Sequence, residues 1–511
     1  MKRILALIFC LILLLCGCQT DRVYVPTGDG LTWDEDYTGP VYTQPQEEME
    51  QNLILTYYPE RSMNPFTCTD FTNRALFSLL YQSLFIVDRN YTVEPLLCKS
   101  YSISEDAKTY TFYINTDATF ANGAPLTATD VLASLQKARE SDIYGGRFQH
   151  VVDITLGNGG ISITLDTPYE NLPLLLDIPI LRADQVEEDF PLGTGPYVLE
   201  KTAMSHCLQR RTDWWCNPNM MITASSITLL EAKSATQIRD SFEFSNLSLV
   251  CADPGSDRYT DYRCDYELWD CENGIFLYLA CSENSEVFSV PEIRSTLTYA
   301  IDREILVQDF YRGFARSATL PASPLSPYYS ESLASRYAYA PLKFTQAVKE
   351  AQLTDYEVTL LVNSDDSLRA RVAREIEKML EDCGLEVTVS ELSGSAYTNA
   401  LYNWEFDLYL GQTMLSANMD LTAFFSGNGA LRYGGVNDVA AYTLCQQALE
   451  NHGNYYTLHQ TVMDNGLLCP VLFRSYAVYA IRGLLTGLTP ARDNVFYYSI
   501  GKTMDAALIR Q

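Results

Sequence analysis

Three kinds of apolar pattern run along this chain. Residues 4–15 are apolar without interruption. Short apolar and β-branched runs, Leu53-Ile54-Leu55-Thr56 and residues 356–362 and 385–392, predict strands. Apolar positions at helical spacing predict helices over 75–84, from Val290 to Ile305, and over 367–382, the last ended by Gly384. The strand, helix and strand over 356–392 imply a parallel α/β sheet there. Between Tyr110 and Leu135 an extended run through Thr111-Phe112 and Phe120 meets Gly123 and Pro125. Thr127 is then set to cap a helix opening Ala128-Thr129-Asp130. Leu192-Gly193-Thr194-Gly195-Pro196-Tyr197 predicts a tight turn, with a strand beginning at Tyr197. It is not a phosphate cradle, because no helix or Lys follows. In the 290–305 helix, Asp302 and Arg303 are expected to pair locally or project outward, and Trp214-Trp215 to pack in a core.

The first run changes the picture of where the chain works. Lys2 and Arg3, the apolar stretch and then Leu15-Cys16-Gly17-Cys18 read as an export signal, too short for a comfortable membrane span. Residues 19–51, rich in Pro, Gly and acids without apolar periodicity, read as a disordered tether. Beyond it, 47% hydrophobic and 12% aromatic content over a 511-residue chain suffices for two or three packed domains. The formal charge is −28, or −30 once Lys2 and Arg3 leave with the signal. Such a surface argues against nucleic acid as a partner. Of 14 cysteines, Cys10 and Cys16 leave and Cys18 is set aside, so eleven remain and at least one must stay free or pair elsewhere. Cys207 and Cys216 flank an expected hairpin through Arg211-Thr212-Asp213, and Cys251, Cys264, Cys271 and Cys281 are crowded, so disulfides are open to them. No CxxC pair and only four histidines speak against zinc, and no metal or other cofactor is expected.

The segments Thr111-Phe112…Phe120…Gly123…Pro125-Leu126-Thr127-Ala128…Asp130-Val131, Leu192–Tyr197 and Val290-Pro291-Glu292-Ile293-Arg294…Tyr299-Ala300-Ile301-Asp302-Arg303 together resemble the extracellular solute-binding proteins of the oligopeptide, dipeptide and nickel type, family 5. Met63-Asn64-Pro65-Phe66, Tyr81-Gln82-Ser83-Leu84 and Glu94-Pro95-Leu96-Leu97 match further family positions, though Cys98-Lys99 does not. Leu15-Cys16-Gly17-Cys18 resembles a bacterial lipobox, which would leave Cys18 diacylated at the new N-terminus and the protein anchored by two chains. The resemblance implies an α/β, two-lobed periplasmic-binding-protein-like fold of the large, class II peptide-binding type with an inserted domain. Lobe I would hold 52–66, 190–283 and 480–511, the inserted domain 67–189, and lobe II 284–479. Crossings near 283 and 480 would form the hinge.

The resemblance also implies where a ligand sits. The strand Asp407-Leu408-Tyr409-Leu410-Gly411 and the loop to Asp420 match the family's ligand-contacting segment. Met414 falls at a position where many peptide binders have Trp, and Ala417 at that of the carboxylate that holds a peptide ammonium. Asp420 is left to take over that charge or to cap the following helix. Gly411, Gln412, Thr413 and Met414 are expected to offer backbone to an extended ligand. Tyr58, Asn64, Tyr144, Arg147 and Tyr476 join them, and Arg474 either clamps a ligand carboxylate or neutralises neighbouring acids. The function implied is a monomeric, lipid-anchored substrate-binding subunit on the extracytoplasmic face. It would pass a peptide or similar solute to an ABC permease driven by a separate ATPase, since no Walker motif is present. A carrier of a nickel chelate, haem or another small solute and a ligand-sensing surface receptor of the same fold are the rival readings. An enzyme is not expected, because His150, His206, His452 and His459 sit in no GxSxG or HExxH setting.

Overall fold

The computed structural model describes residues 53–501 apart from 158, 202–204, 217–221, 223, 232, 256–261, 354–355, 436–437 and 486. The export signal, Cys18 and the tether lie outside the described residues. Among the described residues no helix is long and apolar enough to cross a membrane.

Three larger sheets organise the chain. In the first, Ile54–Tyr57 runs parallel to Ser226–Glu231, which continues antiparallel through His206–Arg210 to Tyr197–Lys201. The strand expected to start at Tyr197 does so. The second is antiparallel, ordered Cys98–Ile103, Thr109–Ile114, Gly160–Leu165, Val151–Gly157. The Ala128–Glu140 helix opens beside it with the cap expected at Thr127. Thr127 Oγ1 accepts from Asp130 N, and the Asp130 carboxylate accepts from Thr127 N at 2.9 Å and from Ala183 N at 2.8 Å. Tyr110 and Phe112, and Ile161 and Ile163, at alternate positions of their strands, form its core with Val131 and Leu135 of the helix.

The third sheet has seven strands. Its path is Leu249–Ala252, Cys469–Ile481, Tyr266–Cys281, Leu408–Met414, Glu357–Asn363 and Glu386–Leu392, with Ala315–Ser317 added on Cys469–Ile481. Glu357–Asn363 and Glu386–Leu392 pair in parallel through the Ser367–Asp382 helix, as the apolar spacing predicts. Tyr266–Cys281 and Cys469–Ile481 lie antiparallel over most of their length. Leu249–Ala252 and Ala315–Ser317 share one edge of Cys469–Ile481, at Ala477–Ala480 and Leu472–Arg474. This long strand pair therefore lies at the centre of the sheet's path.

Two helices depart from expectation. Over 75–84 the helix stops at Leu80, and Tyr81 is extended. The Gly-rich turn takes the helix end instead: Gly195 N donates to Leu80 O at 3.0 Å, and a Cβ on Gly193 or Gly195 would collide with that carbonyl. From Val290 the helix runs only to Ala300, breaks at extended Ile301, and restarts with Asp302 as cap. Arg303 does not project outward. It is buried, and its Nε donates to Ala318 O at 3.0 Å and Pro470 O at 2.9 Å while Nη1 reaches Thr298 O at 3.0 Å, so it satisfies carbonyls where three segments meet. Trp214 and Trp215 are half-buried beside the Gly-rich turn, with Trp214 Nε1 on Thr194 O at 3.0 Å. The disulfides left open by the sequence do not form among the described residues: Cys207, Cys251, Cys264, Cys271 and Cys281 carry thiols.

Candidate functional site

The ladder between the two long strands breaks between Glu272 and Phe276. Polar groups gather at this break. Glu272 accepts from Tyr91 OH and from Ser323 Oγ at 2.7 Å, and Asp270 holds both Arg89 and Arg316 at 2.6 Å. Gly274 has φ +72° and leaves room for Arg492, whose Nη2 donates to Leu415 O at 2.7 Å. A Cβ at Gly274 would stand 2.7 Å from that nitrogen and displace the guanidinium tip, and the positive φ itself favours glycine.

Beside the break runs a row of paired charges. Arg147 bonds Asp177, Arg74 bonds Asp493, and Arg474 bonds both oxygens of Asp253 at 2.8 and 3.0 Å. Two tyrosines link the pairs. Tyr144 lies under Arg147, 5.0 Å from ring centre to guanidinium, and is also close enough to feel Arg74 and Asp493. Tyr476 stacks on Phe71 at 3.5 Å and feels Arg74 and Asp493 on one side and Arg474 and Asp253 on the other. Burial pushes the Tyr144 phenol up to about 12, so both rings are neutral hydrogen-bonding surfaces at ordinary pH. Burial alone would pull the two guanidinium groups of Arg74 and Arg474 down, but Asp493 and Asp253 more than offset it. Arg74, Tyr144, Arg147, Asp177, Arg492 and Asp493 line a cavity of about 100 Å³. Tyr58, Phe71 and Asp253 line a second, of about 570 Å³.

The expected site residues divide between these surroundings and others. Tyr144, Arg147, Arg474 and Tyr476 belong to the row. Gln412 joins it by accepting from Arg474 Nη1 at 3.0 Å. Gly411 is glycine because a Cβ would lie 2.4 Å from the Tyr278 ring. Thr413 and Met414 pair with Phe276 and Ile275 on one side, while only Leu408 and Tyr409 of their strand pair with Glu357–Asn363 on the other. The strand's second edge from Leu410 to Met414 therefore has no strand partner among the described residues, and the Met414 side chain is 45% exposed. Tyr58 lines the larger cavity, 4.5 Å under Arg61. Asn64 is spent on its own turn, donating to Val186 O and Glu188 O at 2.9 Å and accepting from Phe66 N.

Asp420 is not brought to Arg474. Its carboxylate accepts from Thr422 N at 2.8 Å, from Gln149, and from His150 Nε2 at 3.0 Å, while His150 Nδ1 faces Asp166 at 3.0 Å. Burial lowers the His150 pKa, the two carboxylates raise it, and the net direction is up. Sequence reading missed Arg74, Asp177, Asp253, Arg492 and Asp493. The Arg74–Asp493 partners stand 419 residues apart, and no local pattern joins them. Among the described residues no three His, Cys, Asp or Glu side chains group as a metal site would need.

The model of the bacterial extracellular solute-binding proteins, family 5 (middle region) matches residues 92–431. Among curated proteins, the glutathione-binding protein GsiB of Salmonella typhimurium is 24% identical over 356 residues, covering 65% of this chain and 67% of GsiB. The crystal structure of the ABC transporter substrate-binding protein CtaP of Listeria monocytogenes aligns with a TM-score of 0.70 at 18% identity, covering 87% of this chain and 97% of CtaP. The oligopeptide-binding protein AppA of Bacillus subtilis, solved with a nonapeptide, aligns with a TM-score of 0.59 at 20% identity, covering 84% and 94%. These likenesses agree on a two-lobed α/β binding fold.

Proposed function

This chain belongs to the bacterial extracellular solute-binding proteins of family 5, and from that premise we propose that it captures a peptide or peptide-like solute between its lobes and delivers it to an ABC permease. Its general role is that of an importer's substrate-binding protein. Binding, not catalysis, is its task. We place it on the extracytoplasmic face, held by a lipid on Cys18.

The observation that carries the reading is the convergence of one paired row from distant segments. Phe71 and Arg74, Tyr144 and Arg147, Arg474 and Tyr476, and Arg492 and Asp493 meet beside the strands that cross between the lobes. Solute seated against such a row touches both lobes and so stabilises their closed arrangement. The edge of Leu410–Met414, without a strand partner among the described residues, supports an extended ligand held by main-chain bonds. The missing acid at Ala417 supports a solute not fixed by an ammonium at that point.

The test has two parts. Mild denaturation of purified protein followed by mass spectrometry should release a peptide or small peptide-like solute. Adding the released compound back should raise the melting temperature and compact the protein in small-angle scattering. A thermal shift without compaction would mean a rigid scaffold and would count against lobe closure.

A further inference from the structure

Two segments that the family resemblance assigns to different domains, the inserted domain and lobe II, meet around residues 149–171 and 418–455. Gln149 Nε2 donates to Thr422 Oγ1 at 2.8 Å and to the Asp420 carboxylate, and Glu170 N donates to Leu449 O at 3.2 Å. Tyr328 bonds Asn171 and stacks on Tyr455 at 4.3 Å. His150 belongs to this contact, and its own segment fixes the ring. Asp166 N donates to His150 O at 3.0 Å, and the Asp166 carboxylate lies 3.0 Å from Nδ1. Nε2 is thereby aimed across the contact at Asp420, 3.0 Å away. Ionised carboxylates only accept hydrogen bonds, so meeting both requires both ring nitrogens to donate, which is the imidazolium form.

A neutral ring can donate to only one of the two acids and turns a lone pair on the other. It also withdraws the charge that balances Asp420, whose side chain is 4% exposed, whereas Asp166 at 56% is solvated in any case. The other groups facing Asp420 are Tyr169, Tyr455 and Cys445, which burial keeps neutral. The cations beside His150 are engaged elsewhere: Lys108 donates to Asp166 O, and Arg139 to Val151 O and Val152 O. His452 lies on the same contact, 4.9 Å from the Tyr328 ring, but burial pushes its pKa down against the pull of Glu170, so it stays neutral where His150 titrates.

We propose that the His150–Asp420 pair is a protonation-dependent latch that holds the closed arrangement of the lobes. The charged ring ties the strand it leads into to the loop before Thr422. Loss of the proton weakens this tie without abolishing it, because Gln149 and Thr422 N still meet Asp420. The two carboxylates raise the His150 pKa in the folded protein, so the latch is complete below about 6.5 and fades as pH rises through the folded value. A solute held by closure is therefore retained more firmly on the acidic side and released more readily on the alkaline side. The inference rests on the lobe closure proposed above.

The experiment takes the purified protein, stripped of solute by mild denaturation and refolded, at about pH 6 and about pH 9 and fixed ionic strength. It reads small-angle scattering together with amide hydrogen exchange at Glu170, corrected for the intrinsic effect of pH. In the wild type, Glu170 should exchange about threefold faster or more at the higher pH, and the radius of gyration should rise with it. His150→Gln and Asp420→Asn should each remove both differences. Equal responses to pH in the wild type and His150→Gln overturn the proposal, and so does faster Glu170 exchange with unchanged scattering, which would make the pair a local brace. Far-UV circular dichroism identifies a variant that fails to fold; the wild type then decides alone, since scattering that does not change between the two pH values sinks the latch. A protein that releases no solute on denaturation would count against the importer reading, while the pH response of the solute-free protein would still decide the latch.

Discussion

Arg474 was readable in the sequence only as a lone charge in an apolar strand, equally suited to clamping a carboxylate or to balancing acids. In the structure both oxygens of Asp253, from a strand end far away in the chain, accept from its Nη2. The fork is buried and the acid is 37% exposed, so removing the acid strands a guanidinium in a poorly solvated place. Asp253→Asn is therefore expected to destabilise the protein by about 2 kcal/mol, below the range for fully buried pairs because water still reaches the Asp253 side. Arg474→Gln should cost less, and the double variant should recover part of the loss, giving a coupling of about 1–2 kcal/mol in urea unfolding. Additive losses would show that the two charges act separately. Asp420 taught the same lesson in reverse. Its position in the chain fits a ligand acid, but Thr422 N, Gln149 and His150 occupy its oxygens. Residue type and spacing identify which side chains are unusual, while their partners are set by pairing across the fold.

At the scale of elements, local signals were read well where a helix or strand answers only to its own pattern. The Thr127 cap and the Ser367–Asp382 helix between its parallel strands are such cases. The reading failed where a neighbour claims the element's end, as the Gly195 amide does at Leu80 and the buried Arg303 does near Ile301. His150 shows one element tied to another by charge. It leads into Val151–Gly157 of the antiparallel sheet and stands between Asp166 and Asp420, with Gln149 and Thr422 alongside, so it pins that sheet to the loop before Thr422. Its pKa is raised in the folded protein, so the pin stabilises fully below the unfolded value of about 6.5 and is lost as pH rises through the folded value. Melting temperature should therefore fall from about pH 6.5 upward more steeply in the wild type than in His150→Gln, with the gap between them narrowing at alkaline pH. Parallel curves for the two proteins would show that His150 does not carry this dependence.

For the whole molecule, the two-lobed fold was legible through family resemblance, but the sheet order was not. Nothing local places Leu249–Ala252 against Ala477–Ala480 or Tyr266–Cys281 against Cys469–Ile481. The hinge expected near 283 and 480 falls at the far ends of these two strands, whereas their ladder is interrupted at Glu272/Phe276. A second register shift follows at Leu277/Tyr278, and we propose that this irregular stretch, where the ladder bonds resist bending least, absorbs relative motion of the lobes. Gly274 sits in it at φ +72°, with Arg492 filling the space where a side chain would begin and tying Leu415 to the C-terminal segment. Gly274→Ala would place a Cβ in a left-handed conformation and against the guanidinium. The expected cost is about 1–2 kcal/mol from backbone strain alone. If this glycine is part of the hinge, the variant should also bind the released solute more weakly and compact less in small-angle scattering when saturated. A variant that is destabilised yet closes as fully as the wild type would assign Gly274 to packing and return the hinge to the strand ends.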